Sequence, residues 1–257
     1  MARLFNGTDQ YMKAASVDLS GTPTIAFAYW LYWDANANND DFALEFSANK
    51  NLVTTGFMVD PNWNQGAVLV SLVGDVGTSE FSFPRPSAAA WHHYVINLDK
   101  SKASGEIDSV YVDGVSQTLT VAGGDVNNTN NFASDTLNFM SRNGASLFGA
   151  GRMAEFGLWY GINLTAAEAA VLGDGFTPPF VRPASLKYYW PLIGRTSPEV
   201  ELKRGVTATV TGATNTAHPR VLVPGGRPQG RQRFCAASRK VGDGLVHGRI
   251  VHGGLVA

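Results

Sequence analysis

The segment Thr22–Trp33 constrains the fold more than any other part of the chain. Ile25, Phe27, Tyr29, Leu31 and Trp33 alternate with Ala26, Ala28, Trp30 and Tyr32, and both sets are apolar. Successive side chains of a strand point to opposite faces. A strand with two apolar faces belongs in a sheet that is covered on both sides. Further strands are predicted over Leu52–Val59, Ala67–Val73, Trp91–Leu98, Ser109–Val112, Val115–Val121, Thr136–Met140 and Ala154–Tyr160. Asp60-Pro61-Asn62, Asp113-Gly114 and Asn143-Gly144 supply turn chemistry between them. Asp113-Gly114 is the strongest hairpin signal, because both central residues of a type I′ turn need positive φ.

One helix is predicted. Thr165-Ala-Ala-Glu168 has the form of a capping box, Ala166–Leu172 supplies helix formers, and Gly173 ends the run. Many short strands with one brief helix predict an all-β, two-sheet antiparallel sandwich. Composition agrees. Only 16% of the 257 residues are charged, against a usual share of about 25%, while aromatics reach 11% and glycines number 28.

Several classes of function are excluded. The lone Cys235 leaves no internal disulfide framework and no cysteine-based metal site. No apolar run approaches the ~20 residues of a membrane helix. The opening Met1–Gly7 lacks the apolar stretch of a secretion signal, so the expectation is synthesis in a reducing cytoplasm. No Walker motif, dinucleotide fingerprint or Gly-x-Ser-x-Gly elbow is present.

The formal net charge of −1 conceals an asymmetry. Residues 216–257 carry seven basic side chains against Asp243 alone, whereas the rest of the chain is acidic by a similar margin. The Pro-rich run Phe176–Pro183 cannot pair centrally in a sheet and is predicted to be an extended strap. Lys187–Leu192 and Gly205–Thr211 are candidate edge strands. Three regions result: a body over 1–175, a strap with added strands over 176–215, and a basic extended arm over 216–257.

Three stretches resemble a known family. Arg3–Tyr11 with Thr24–Trp33, Ala90–Asp99 with Val110–Val115, and Phe148–Tyr160 with Asn163–Ala169 are similar, in that order, to the opening, centre and close of a laminin-G-like domain of the concanavalin A-like lectin/glucanase superfamily. The resemblance implies two curved antiparallel sheets forming a jelly roll. Members include sugar binders, adhesion modules and structural domains of bacteriophage virions. Tyr188–Ile193 and His218–Pro224 resemble C-terminal extensions of phage-encoded members.

Candidate chemistry is sparse. Glu106-Ile107-Asp108 resembles part of the Glu-x-Asp-x-Glu triplet of the superfamily's glucanases, but Val110 stands where the last carboxylate belongs. The motif is therefore assigned to a solvated loop-to-strand junction, and no catalytic residue is predicted. His92-His93 point to opposite faces of a strand and cannot chelate one ion together; they are assigned structural roles. The loop holding Asp34, Asn36, Asn38, Asn39, Asp40 and Asp41 is rich in hard oxygen ligands, which makes Asp34, Asp40 and Asp41 the Ca²⁺ candidates. Trp63, between Asn62 and Asn64, is the candidate for stacking on a sugar ring.

In the arm, Arg220, Arg231 and Arg233 suit an acidic partner surface, and Leu245, Ile250 and Leu255 suit anchors for strand addition. The expected protein is a non-enzymatic phage virion component, a capsid decoration or tail-associated protein fastened by this arm. Its expected partners are other virion proteins and copies of itself, with surface glycans as a further class. No membrane partner is expected, nor nucleic acid, since the arm lacks clustered lysines. A carbohydrate-binding or host-adhesion module of the same fold is the alternative, with a glycosidase a more distant third.

Overall fold

The computed structural model describes residues 1–34, 40–47, 55–194 and 197–222. Among them, seventeen strands form two antiparallel sheets. The first sheet runs β10 (Val115–Ser116), β9 (Ile107–Val112), β8 (Trp91–Asp99), β3 (Thr24–Trp33), β13 (Ala150–Tyr160), β1 (Ala2–Asn6) and β17 (Thr214–Thr216), and β14 (Leu186–Trp190) also pairs β13. The second runs β11 (Thr120–Gly124), β7 (Thr78–Pro84), β6 (Ala67–Val73), β5 (Gly56–Trp63), β4 (Leu44–Phe46), β12 (Ser134–Phe139), β2 (Tyr11–Asp18), β16 (Thr207–Thr211) and β15 (Glu199–Val200).

β3 is central, paired along its length with β8 and β13. Ile25, Phe27, Tyr29, Leu31 and Trp33 enter the core between the sheets, where Phe27 stacks on Phe57 of the other sheet at 4.6 Å. Ala26 and Ala28 face the other way, under Leu164, Ala169 and Leu172 of the helical region and Val181 and Leu186 of the strap. Small residues occur there because the cover lies close to the sheet. Beyond the cover, Tyr32 is half-buried, with the Arg152 guanidinium 4.1 Å from its ring centre.

β13 changes partner on its second side. Ala150–Met153 pair with β1 and Phe156–Trp159 with β14, and the register shift between them falls at Glu155, whose φ is +55°. The helix α1 (Ala166–Gly173) begins with the expected reciprocal cap. The Glu168 amide donates to Thr165 Oγ1 at 3.3 Å, and the Thr165 amide donates to Glu168 Oε2 at 2.9 Å. Asp113 and Gly114 both take positive φ at the β9–β10 turn, as the hairpin signal requires.

Several expectations fail for reasons that lie outside their own segments. Asp60-Pro61-Asn62 is not a turn but part of β5; the reversal follows at Asn64 and Gln65, with φ of 49° and 60°. Pro61 is tolerated because β4 pairs only as far as Val59 and the β5–β6 register shifts between Asp60 and Trp63. The strand expected over Val115–Val121 is two strands in different sheets, where the chain crosses the sandwich. The strap is not extended throughout, since Pro178–Phe180 form a 3₁₀ turn. β1, β2, β4, β7, β15 and β17 have no counterpart among the expected strands. Thr216 still pairs with Ala2, and Leu222 bridges Phe176, so the chain lies on the sandwich as far as residue 222.

Candidate functional site

On the side of the nine-stranded sheet away from the main core lies a mostly polar row in which Asn138, Glu45 and Ser71 are fully buried and Met58 nearly so. Asn138 pairs with Glu45, Glu45 with Met58, Met58 with Ser71 and Ser71 with Glu80, across five strands. Their neighbours Phe57, Val59, Val70, Leu44 and Phe139 lie in the core, so alternation places the row on the opposite face. Glu45 accepts from the Asn143 amide at 2.7 Å and from Ser47 Oγ at 3.2 Å, and Glu80 accepts from Ser71 Oγ at 2.7 Å. Glu45 and Glu80 stand three strand spacings apart, about 14 Å, well beyond the separation of a glycosidase carboxylate pair.

At one end of this face, β5 delivers Trp63 beside a small apolar cluster separate from the main core. Phe42, Met58 and Leu69 are buried there, with Trp63, Ala122 and Leu147 packed around them and only partly covered. In the same stretch of β5, Asp60 and Asn62 are buried; Asp60 Oδ1 accepts from the Asn62 amide at 2.8 Å, and the Arg85 guanidinium contacts Asn62 Oδ1. The sequence nominates Trp63 but not its neighbours Phe42, Leu69 and Leu147. Arg85 lies 23 residues from Asn62, and only the β6–β7 pairing that sets Ala67 against Pro84 brings the two together.

The oxygen-rich loop divides. Asp41 is buried and precedes Phe42, whose amide donates to Leu147 O at 3.0 Å, so this end of the loop adjoins the Trp63 cluster. Asp40 is exposed with φ of 65°, while Asp34 closes β3 with its amide on Ala150 O at 3.1 Å. Asn36, Asn38 and Asn39 lie outside the described residues. Among the described residues, no group of three or more His, Cys, Asp or Glu converges in a way that would hold a metal ion. Of the arm candidates, Arg220 is exposed on the sandwich surface, and Arg231, Arg233, Leu245, Ile250 and Leu255 lie outside the described residues.

The Glu106 expectation needs correction. Glu106 is fully buried, not solvated. Its carboxylate accepts from Ser79 Oγ at 2.7 Å and from the Asn128 amide and side chain at 2.7 and 2.8 Å. Lys100, also buried, donates to Thr55 Oγ1 at 2.8 Å and Asn130 Oδ1 at 3.0 Å, and burial lowers its pKa to about 8. Asp108 is engaged by Lys102. The histidines are structural. His93 is buried against Trp30, at 5.1 Å between rings, and desolvation lowers its pKa to about 3. His92 Nδ1 lies 2.7 Å from Asp113 Oδ2, and the His93 amide donates to Asp113 Oδ1 at 2.8 Å, which pins the hairpin.

Two stacked antiparallel sheets and one short helix define a lectin-like jelly roll. The chain belongs to the concanavalin A-like lectin/glucanases superfamily, whose Laminin_G_3 family matches residues 6–170. No curated protein sequence matches. Solved structures of like fold include the heptameric SAP-like pentraxin of Limulus polyphemus, with a TM-score of 0.50 and 12% identity over 67% of this chain and 81% of that one. Another is Domain 4 of AbnA, a GH43 extracellular arabinanase of Geobacillus stearothermophilus, in complex with arabinotriose. It has a TM-score of 0.50 and 13% identity over 67% of this chain and 76% of that one. Identities this low carry the fold alone.

Proposed function

We propose that the protein is a non-catalytic glycan-recognition module whose sugar site is the Trp63 corner. One observation carries the reading: Trp63 is only partly covered, at the edge of the small Phe42, Met58 and Leu69 cluster, whereas the aromatics between the sheets are sealed. A flat apolar ring suits the C–H face of a pyranose. The arabinanase domain of like fold was solved with a bound oligosaccharide. A non-catalytic role is supported by the engagement of Glu106 and Asp108 within the fold. Glycan-array binding followed by calorimetry tests the proposal. Trp63→Ala, at a partly exposed position, should abolish binding while leaving the unfolding curve in place. Unchanged binding, or no glycan bound by the parent, refutes it.

A second reading concerns context and is compatible with the first. The basic surplus of residues 216–257 against an acidic body favours an arm that docks on another subunit, as in a phage virion protein that displays this domain. A chain ending at residue 222 should then fold normally but fail to join the assembly. Normal incorporation of that truncated chain would refute the docking role.

A further inference from the structure

A cavity of about 430 Å³ opens where the ends of β2 and β13 meet the start of β14, lined by Asp18, Ser20, Tyr160, Ser185, Lys187 and Arg204 among others. It shares no residue with the Trp63 corner, and the inference does not rest on that reading. Asp18 is committed: Oδ1 accepts from Ser20 N at 2.9 Å, Ser20 Oγ at 2.5 Å and Ser134 Oγ at 2.7 Å, and Oδ2 faces Lys187 Nζ at 3.6 Å. These bonds hold the Asp18 carboxyl well below the usual carboxylate range. Lys187 Nζ also lies 4.1 Å from the centre of the Tyr160 ring, whose hydroxyl donates to Ser20 O at 2.6 Å. The wall is thus fixed, and the ammonium is positioned and partly desolvated.

Arg204 completes the charge pattern. Its side chain is exposed and has no carboxylate partner among the described residues, although Glu201 is close in sequence. Glu201 is buried and occupied by main-chain donors: Tyr189 N and Lys203 N at 2.6 Å on Oε1, and Arg204 N and Gly205 N on Oε2. The carboxylate fixes the backbone that carries Arg204 and leaves the guanidinium to the cavity. Two cations against one committed carboxylate give the cavity a surplus of one positive charge.

We propose that this cavity binds an acidic sugar residue of the hexuronate class, its carboxylate held between Lys187 and Arg204. A guanidinium matches a carboxylate with two parallel hydrogen bonds. A single surplus charge suits a monoanion, whereas a phosphate dianion would bring its second charge towards Asp18. Ser185 and Ala184 in the lining offer the ring a polar and an apolar contact. The volume falls within the range of small-molecule sites.

Calorimetric and NMR titration of the full chain with sodium glucuronate tests this, with glucose, acetate and inorganic phosphate as comparison ligands. Glucuronate should saturate at millimolar concentration, and neither glucose nor acetate alone should match it. Arg204→Gln should weaken binding at least about tenfold, the loss of one charge-assisted pairing, and Lys187→Met should do the same. Trp63→Ala should leave glucuronate affinity unchanged, which separates this site from the Trp63 corner. Three results would overturn the proposal: no saturation by glucuronate, equal binding of phosphate or acetate, or undiminished affinity in Arg204→Gln. Because Arg204 is exposed, that variant keeps the test valid even if Lys187→Met folds poorly.

Discussion

Glu106 offers the sharpest test of how this sandwich is held together, because it resembles a catalytic residue and is placed as a structural one. Its two oxygens receive three hydrogen bonds, one from Ser79 Oγ and two from Asn128. Those donors are committed elsewhere. Ser79 Oγ accepts from Val126 N at 3.1 Å, and Asn128 Oδ1 accepts from Val76 N at 2.9 Å and Gly77 N at 3.1 Å. Glu106→Gln therefore cannot be accommodated by a simple flip. If its amide group takes the Oε1 position it meets the Asn128 main-chain N–H, and if it takes the Oε2 position it meets the Asn128 side-chain amide. Either way a buried donor faces a donor, at a cost of about 1–3 kcal/mol. Glu106→Ala leaves all three donors unpaired beside the buried Lys100 and should cost about 4 kcal/mol or more. Urea unfolding followed by tryptophan fluorescence measures both as shifts of the midpoint at constant slope. If both variants unfold within about 0.5 kcal/mol of the parent, the range of ordinary surface substitutions, the keystone role of Glu106 is wrong.

Other consequences are local. Thr165→Ala removes the side-chain cap of α1 and should cost about 1 kcal/mol, read as a melting-point drop of a few degrees. His93 is held neutral, its pKa lowered from 6.5 to about 3. Between those values the unfolded chain binds a proton that the folded one refuses, so stability should fall as pH drops through that window, by up to about 1.4 kcal/mol per unit. Stability measured against pH should lose this slope in His93→Gln, and an unchanged slope would show that His93 is not its source. Gly114 has φ of +77°, and a Cβ there would lie 2.8 Å from Ala170 Cα, whereas Gly105, at φ of +65°, has open space around it. Gly114→Ala should therefore destabilise by about 2 kcal/mol and Gly105→Ala by about half that; equal effects in thermal unfolding would contradict the close approach of helix and hairpin.

The parts of the fold that could be read directly depend on neighbours in sequence. The two apolar faces of Thr22–Trp33 announced a strand covered on both sides, because alternation is a property of the backbone itself. The Thr165 cap and the Asp113-Gly114 turn each complete their geometry within a few residues. The candidate site was legible only in part. Trp63 stands out as an aromatic among asparagines, but nothing near it in the chain points to Phe42 or Leu147 beside it, and the row from Asn138 through Glu45 and Ser71 to Glu80 exists only once five strands are in register.

By itself, then, the sequence determined that this chain forms a turn-rich antiparallel sandwich with one capped helix, since alternation, caps and tight turns act over short spans. Tertiary structure alone decided the rest. It turned Asp60-Pro61-Asn62 from a turn into a strand, because β4 stops short of Pro61. It buried Glu106 by bringing Asn128 and Ser79 to it from 22 and 27 residues away. It gathered Asp18, Tyr160, Lys187 and Arg204 around one cavity. Burial, register and the sharing of charge depend on which distant segments meet, and pairing within short windows carries no record of that.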